Sequence, residues 1–405
     1  MKASYYHAIT LMANILDQAN IPYQYTGRSA LFVQGVDIDE YKKIGMDVQW
    51  DVFNEALDLF SEYAPTKPER SPETAFFLMD VEGISVTVRC RFNTTIKTDP
   101  YRLSIKMGDM EVWCRSLYSY LYEEEMRKFS AEIHAYLSAE QKGFTAENEQ
   151  AWNQNNYLAL VNRYGNPVEL ASKIKQNPKW RLHPFYKYMG EISGKKITHL
   201  MGSNGVKAVA LAILGAEVKV VDFSQENAMF ANELASGANV SIEYIVSDVL
   251  SLSSEHESGN QDLVLMELGV LHYLIDLQPL FEKIKKMLKP GGRFVLHEFH
   301  PISTKLITSN GKKHKITGNY FAPAIENNEV AFSKHMPDEE KGSLSRVVQR
   351  KWTIGELITS IGHQDSLLKC SRKNRIIKSM ISVFRKHIPW WRNEFKLHDE
   401  GMKAD

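Results

Sequence analysis

The sequence predicts an α/β protein: a doubly wound parallel sheet within residues 143–405, preceded by a smaller α+β domain over 1–142. Three observations carry that reading. The first is Ile197 to Ser224, which runs as apolar strand, glycine turn, Ala/Val/Leu-rich helix and a second apolar strand ending on an acid. The second is the repetition of strand–helix units of similar length up to Phe299, the pattern of parallel strands joined by crossover helices. The third is that residues 75–113 lack such units. They alternate instead, as in Ile84-Ser-Val-Thr-Val-Arg-Cys90, which predicts antiparallel strands with one buried face.

Composition narrows the class. Hydrophobic residues make up 43% and charged residues 24%, enough apolar content for sizeable cores. Lys plus Arg equal Asp plus Glu at 49 each, so no global field favours nucleic acid. Cys90, Cys114 and Cys370 are scattered, make no metal motif and suit a reducing cytoplasm. No apolar run reaches the ~20 residues of a membrane span, and the N-terminus lacks a signal-peptide core. A cytoplasmic protein without a metal is expected, with a homodimer left open.

In the first domain, Tyr5 to Gln18 has the apolar spacing of a helix, and Ile21 to Tyr25 leads to Gly27-Arg28-Ser29. Met46 to Trp50 alternates as a strand, Val52 to Tyr63 returns to a helical period, and Ser116 to Lys128 closes the domain as a helix. Phe129 to Lys142 continues as helix, and the polar run Gly143 to Gln150 marks the boundary. A short helix carrying Trp152 and Tyr157 then precedes the first strand of the second domain.

There, Gly202-Ser203-Asn204-Gly205 breaks the first strand, and the helix from Val206 to Leu214 stops at Gly215. Val218 to Val221 reads as a strand buried on both faces and ends on Asp222-Phe223-Ser224. Gln225 to Ser236, including Asn227, is helical, with Gly237 as its stop. Ile242 to Val246 is a third strand, followed by Ser247-Asp248-Val249; Asp262 to Met266 is a fourth, followed by Glu267-Leu268-Gly269. After a helix from Leu277 to Leu288, the tight turn Lys289-Pro290-Gly291-Gly292 opens a fifth strand, Arg293 to Phe299. Gly202, Asp222, Asp248, Glu267 and Glu298 thus fall at strand ends on one rim, where ligands sit in such sheets. A glycine turn lets a ligand approach the backbone, and the acid ending the next strand reaches a ribose hydroxyl, so the pattern points to a nucleotide-type ligand.

Gly202-Ser-Asn-Gly205, Asp222-Phe-Ser224, Ser247-Asp248 and Leu288-Lys-Pro-Gly-Gly-Arg293 resemble the motif series of a class I S-adenosylmethionine-dependent methyltransferase, over roughly residues 150–370. The resemblance implies a Rossmann-like, seven-stranded sheet, with Leu367-Leu368-Lys369 and Glu394 to His398 as its last strands, and S-adenosyl-L-methionine as cofactor. It assigns the methionine moiety to Gly202–Gly205 and the ribose hydroxyls to Asp222, with Phe223, Ser224 and Asn227 alongside. It assigns the adenine amino group to Asp248, flanked by Ser247 and Val249, and puts Glu267, Leu268 and Gly269 beside the sulfonium. Tyr157 is expected to cap the cofactor. The chain departs from the family at one place: His199 and Leu200 stand where an acid usually precedes the first glycine, which leaves Tyr157 or Arg163 to hold the cofactor's amino group. A dinucleotide dehydrogenase is disfavoured, because Gly-x-Gly-x-x-Gly is missing.

Gly27-Arg28-Ser29, Met46-Asp47-Val48-Gln49 and Met110-Glu-Val-Trp-Cys-Arg-Ser-Leu117 resemble the nucleotidyltransferase-like fold of lincosamide and aminoglycoside nucleotidyltransferases. The family's metal-binding Asp-x-Asp is reduced here to Asp47-Val48-Gln49, and the strand around Val86-Thr87-Val88 offers no third acid. A lone carboxylate is too little for the metals of nucleotidyl transfer, so this domain is expected to be inactive.

Methyl transfer to a hydroxyl or protonated amine needs alignment and a proton acceptor. His272, next to Tyr273, is one candidate; Glu298 and His300, on the same side of the fifth strand, are the others. Residues 303–350 show no clear helix and are expected to form an acceptor lid in which Tyr320 and Phe321 line the substrate. Thr353 is the expected cap of a final helix, and Arg372 to Arg392 form a basic, aromatic stretch. The expected function is methyl transfer to O or N of a small-molecule acceptor. The alternatives are a cofactor-binding regulator or adaptor without turnover, or a nucleic-acid methyltransferase. Neutral charge and the lack of an Asn-Pro-Pro-Tyr-type motif speak against the last.

Overall fold

The computed structural model describes residues 2–122, 128–310, 313–322 and 325–364. The chain divides into two compact units, 1–142 with 319–324 and 143–318 with 325–405.

In the first unit α1 (Lys2–Gln18) buries a stripe of Tyr5, Ile9, Met12 and Leu16. It is followed by β1 (Tyr23–Thr26), α2 (Arg28–Val33), β2 (Lys43–Val48), α3 (Phe53–Leu59), β3 (Glu69–Arg70), β4 (Thr74–Val81), β5 (Ile84–Arg91), β6 (Arg102–Met107), β7 (Met110–Arg115) and α4 (Leu117–Tyr120). The sheet order is β3-β4-β5-β2-β1-β7-β6. β4–β5 and β6–β7 are antiparallel hairpins, as their alternation predicts. The sheet is nevertheless mixed, because β5 runs parallel to β2 and β7 parallel to β1. The helix expected over Ser116 to Lys128 is reduced to the single turn of α4 within the described residues.

α5 (Ser130–Trp152) runs unbroken through Gly143 to Gln150, so the division between units falls inside a helix rather than in a polar linker. The run is polar but built of good helix formers, and its Asn148 is buried, exchanging two hydrogen bonds with the backbone of Val348.

The second unit continues with α6 (Asn156–Tyr164), α7 (Pro167–Gln176) and α8 (Pro178–Arg181). Strands and helices then alternate: β8 (Lys196–Leu200), α9 (Val206–Ile213), β9 (Glu217–Asp222), α10 (Gln225–Ala238), β10 (Glu243–Val246), β11 (Gln261–Glu267), α11 (Gln278–Met287) and β12 (Leu288–His297). The order is β10-β9-β8-β11-β12, with every pair parallel, so the winding reverses between β8 and β11. Neighbouring residues of a strand serve opposite cores. Ile197, Val220 and Leu265 pack with Phe230 and Leu234, while Leu200, Val221, Val264 and Met266 pack with Phe281, Ile284 and Trp352.

Three local expectations are corrected. α10 does not stop at Gly237; a Cβ there would lie 3.0 Å from Val168 Cα, so this glycine serves close packing on α7, and Asn239 (φ +55°) terminates the helix. Lys289 to Gly292 is not a turn ahead of a strand but a bulge within β12: Leu288 pairs with Gln261, and the next pair is Leu263 with Arg293. Residues 303–350, expected to show no clear helix, contain short helices as well as strands. They hold most of α12 (Pro301–Leu306), the pair β13 (Ile307–Asn310) and β14 (Lys313–Ile316), the antiparallel pair β15 (Ile325–Glu329) and β16 (Arg346–Arg350), and α13 (Asp338–Lys341). α14 (Ile354–Gly362) starts, as expected, from Thr353, which forms a capping box with Glu356.

Among the described residues the parallel sheet has five strands. The expected sixth and seventh strands, Cys370 and the basic stretch Arg372 to Arg392 lie outside the described residues. No helix among the described residues is long and apolar enough to cross a membrane.

Candidate active site

Past Leu200 the chain turns sharply into α9. Met201 and Ser203 (both φ +50°) and Gly205 (φ +70°) occupy the left-handed region, which non-glycine residues keep only when their surroundings hold them there. The Ser203 N–H donates to Asp222 Oδ2 (3.0 Å), the Tyr244 hydroxyl donates to the Ser203 carbonyl (2.7 Å), and the Val206 N–H donates to Asn204 Oδ1 (3.2 Å). A Cβ on Gly202 would fall 2.7 Å from Val220 Cγ1, and one on Gly205 2.5 Å from Ala231 Cβ. The turn is therefore pressed onto the sheet and α10, and only glycine fits at its two ends.

Asp222 ends β9 and is buried. Its Oδ1 accepts from the Ser224 N–H (3.0 Å) and Asn227 Nδ2 (3.2 Å), while Oδ2 takes the Ser203 N–H. Burial raises the carboxyl pKa, and these hydrogen bonds oppose the rise. A carboxylate has about four acceptor sites, so one remains. Asn227 is itself fixed by Asn156 Nδ2 (2.9 Å), and the Ser224 hydroxyl donates to Asn153 Oδ1 (3.0 Å). Half-buried Phe223 shares this corner. The Ser247 N–H donates to the Asp222 carbonyl (3.0 Å), which brings Asp248 alongside. Asp248 Oδ2 accepts from the Ser251 N–H and hydroxyl (3.2 and 3.0 Å), and the Val249 side chain is buried in the core.

The segment ahead of the sheet meets this corner through Asn153 and Asn156, and the Tyr157 N–H donates to Glu226 Oε2 (2.6 Å). The Tyr157 hydroxyl donates to Glu233 (2.7 Å) and its ring packs on Phe230. Glu233 lies about 13 Å along α10 from Ser224 at the usual rise per residue, so the Tyr157 ring points along the helix. The Arg163 guanidinium lies over the Tyr164 ring, 4.6 Å from its centroid.

The other corner forms where β11 and β12 end. Leu268 (φ +49°) and Gly269 (φ +79°) bend the chain away from Glu267. Glu298 is not available as a base: its carboxylate accepts the N–H groups of Gly269, Val270 (3.0 Å), Leu271 (3.2 Å) and Phe299 (2.7 Å), anchoring the turn after β11. His300 Nδ1 accepts from the Ile302 N–H (3.2 Å) and caps α12. His272 remains. Its ring lies nearly parallel to Phe299 (14°, centroids 6.4 Å apart), and burial lowers its pKa below the usual 6.5, so it is neutral at neutral pH. Tyr273 accepts a hydrogen bond from Trp152 Nε1 (3.2 Å), and burial pushes its hydroxyl up to about 12. Leu268 and Phe299, 42% and 50% exposed, give this corner an apolar surface. Tyr320 and Phe321 pack edge to face on each other and group with the first unit, not with this rim.

Sequence reasoning missed Lys207. Its Nζ lies 2.7 Å from Glu267 Oε1. Beneath the glycine turn, both ring nitrogens of fully buried His199 lack a hydrogen-bond partner among the described residues, as does the buried Glu267 Oε2. A signal for Lys207 existed: it is the single charge in the otherwise apolar helix Val206–Ile213.

Residues 201–296 match a family model described as "Methyltransferase domain". The chain is 27% identical over 155 residues to the ubiquinone biosynthesis O-methyltransferase of Chelativorans sp. (strain BNC1), covering 38% of this chain and 59% of that protein. It is 29% identical over 108 residues to the demethylmenaquinone methyltransferase of Clavibacter sepedonicus, covering 27% and 42% respectively. The chain thus spans less than two thirds of the length of these relatives. A solved S-adenosylmethionine-dependent methyltransferase from Mesorhizobium loti superposes with a TM-score of 0.36 at 23% identity, covering 45% of this chain and 79% of that one. The site fits such a cofactor on its own terms: two glycines where a Cβ would clash, a carboxylate with an acceptor site to spare, and buried polar atoms awaiting a partner. Residues 201–296 therefore carry a methyltransferase domain of the S-adenosylmethionine-dependent class, with S-adenosyl-L-methionine as its cofactor.

Proposed function

We propose that the protein transfers a methyl group from S-adenosyl-L-methionine to oxygen or nitrogen of a small-molecule acceptor. The observation that carries this reading is the strained Gly202–Gly205 turn joined by a hydrogen bond to Asp222 at the switch point of the sheet. When bound, the cofactor supplies an electrophilic methyl group on a sulfonium. Asp222 offers its remaining acceptor site to a ribose hydroxyl, Asp248 accepts from the adenine amino group, and the backbone of Gly202–Gly205 supports the methionine moiety. Leu268 and Phe299 present an apolar face that excludes water and suits a flat ring. Neutral His272, beside Phe299, takes the acceptor's proton on a ring nitrogen as the methyl group moves. The name of one relative, a ubiquinone biosynthesis O-methyltransferase, favours oxygen as the methylated atom.

For the first domain the reading is a nucleotidyltransferase-like fold without transfer chemistry, supported by the engagement of Asp47 with Arg89 Nε and Nη2 (2.8 and 3.2 Å). The test of the whole reading is calorimetry with S-adenosyl-L-methionine followed by incubation with labelled methyl donor and cell extract. Saturable binding abolished by Asp222→Ala, with label in a low-molecular-weight product, supports it. Binding without turnover would make the protein a regulator, and label in RNA or DNA would replace the acceptor class.

A further inference from the structure

The amino-acid tail of S-adenosyl-L-methionine is a zwitterion, an ammonium and a carboxylate on one carbon. Where the resemblance to methyltransferases puts an acid before the first glycine, buried His199 and Leu200 stand here, and the Tyr157 hydroxyl and Arg163 guanidinium are engaged elsewhere. Resting on the reading of Gly202–Gly205 as the cofactor turn, we propose that Lys207 and Glu267 form the binding pair for this tail. They hold each other in the free protein and exchange that contact for the two ends of the zwitterion, Lys207 taking the carboxylate and Glu267 the ammonium.

Three observations converge. Register is the first: β8 and β11 run parallel with His199 opposite Leu265, so the residue two further along β11, Glu267, comes level with Met201 at the start of the turn. The missing negative charge is thus supplied from the next strand. Burial is the second. Glu267 Oε1 is held by Lys207 at 2.7 Å, but among the described residues Oε2 is buried without a partner, and so are both nitrogens of His199 beneath Gly202, whose Cβ would lie 2.9 Å from His199 Nδ1. Buried polar atoms without partners are uncommon, and three at one corner mark a place where polar ligand groups are missing. Charge balance is the third. The tail carries no net charge, so replacing one ion pair by two leaves the net charge of this partly buried corner unchanged, avoiding the penalty of an unpaired ion. Lys207, with 28% of its side chain exposed, is able to swing on its flexible stem.

The test separates tail from nucleoside. Calorimetry on the full chain compares S-adenosylhomocysteine with 5′-methylthioadenosine, which keeps the nucleoside and sulfur but lacks the amino-acid group. The wild type is expected to bind the former more tightly, and Glu267→Gln and Lys207→Met are each expected to weaken it about ten-fold, the loss of one charge-assisted contact. Both variants should bind methylthioadenosine within about two-fold of wild type, which also shows that they are folded, and Lys207→Arg should largely retain the preference. Unchanged S-adenosylhomocysteine affinity in both variants overturns the pair. Failure of wild type to bind either nucleoside overturns the cofactor reading itself, and the pair with it.

Discussion

In the proposed reaction His272 is the base, and burial works against its charged form. Its pKa lies below the ordinary 6.5, so the ring stays neutral and able to accept a proton throughout neutral pH. The rate should be flat there and fall only as acid protonates the ring, with the acid limb below about pH 6.5. His272→Ala should lower kcat by about 10²–10⁴-fold, remove that limb and leave S-adenosylhomocysteine affinity unchanged. A variant that keeps most of its rate would exclude the role. His199 behaves in the opposite way, as a liability. Burial drives its pKa from 6.5 to about 4, so the unfolded chain binds a proton before the folded one does. Stability is therefore complete above pH 6.5 and erodes as pH falls toward 4, by about 3 kcal/mol at 1.36 kcal/mol per unit. Thermal melts of wild type and His199→Gln across pH 7 to about 4 should show the variant losing less, if the buried neutral ring is the cause.

At the scale of elements, each corner depends on one tight junction. Gly205→Ala would combine a left-handed backbone with a Cβ 2.5 Å from Ala231, at a cost of about 2–5 kcal/mol in the unfolding free energy measured by chemical denaturation. Much of this architecture was legible in the sequence, because a glycine turn, an apolar strand and a terminal acid are local signals. Strand direction in the first unit was not, since alternation reports a buried face and says nothing of whether the neighbour runs parallel. The candidate bases show the same limit. His272, Glu298 and His300 all follow strand ends, and only the folded backbone reveals that Glu298 and His300 face amide groups while His272 lies beside the Phe299 ring. Lys207 and Glu267 lie far apart in sequence and meet only because β8 and β11 are neighbours.

For the whole molecule, the question is whether the first domain carries chemistry of its own. Asp47 is the carboxylate a nucleotidyl transfer would need first, and it is committed: buried, with Arg89 bonded to both its oxygens and Arg91 3.9 Å from one of them. A cation approaching that carboxylate must displace a guanidinium whose geometry matches it, and gains no help from Gln49, whose amide oxygen accepts from the Ile96 N–H and whose amide nitrogen donates to the Thr94 carbonyl. Asp47 therefore reads as a structural anion, and its removal should be felt in stability. Asp47→Asn is expected to lower the stability of the first domain by about 1–3 kcal/mol, the range between exposed and buried pairs, while cofactor binding by the second domain stays within error. Incubation with magnesium and each nucleoside triphosphate should release no pyrophosphate above buffer. Release that disappears in Asp47→Asn would show that the guanidinium yields to a metal and that the domain is an enzyme after all.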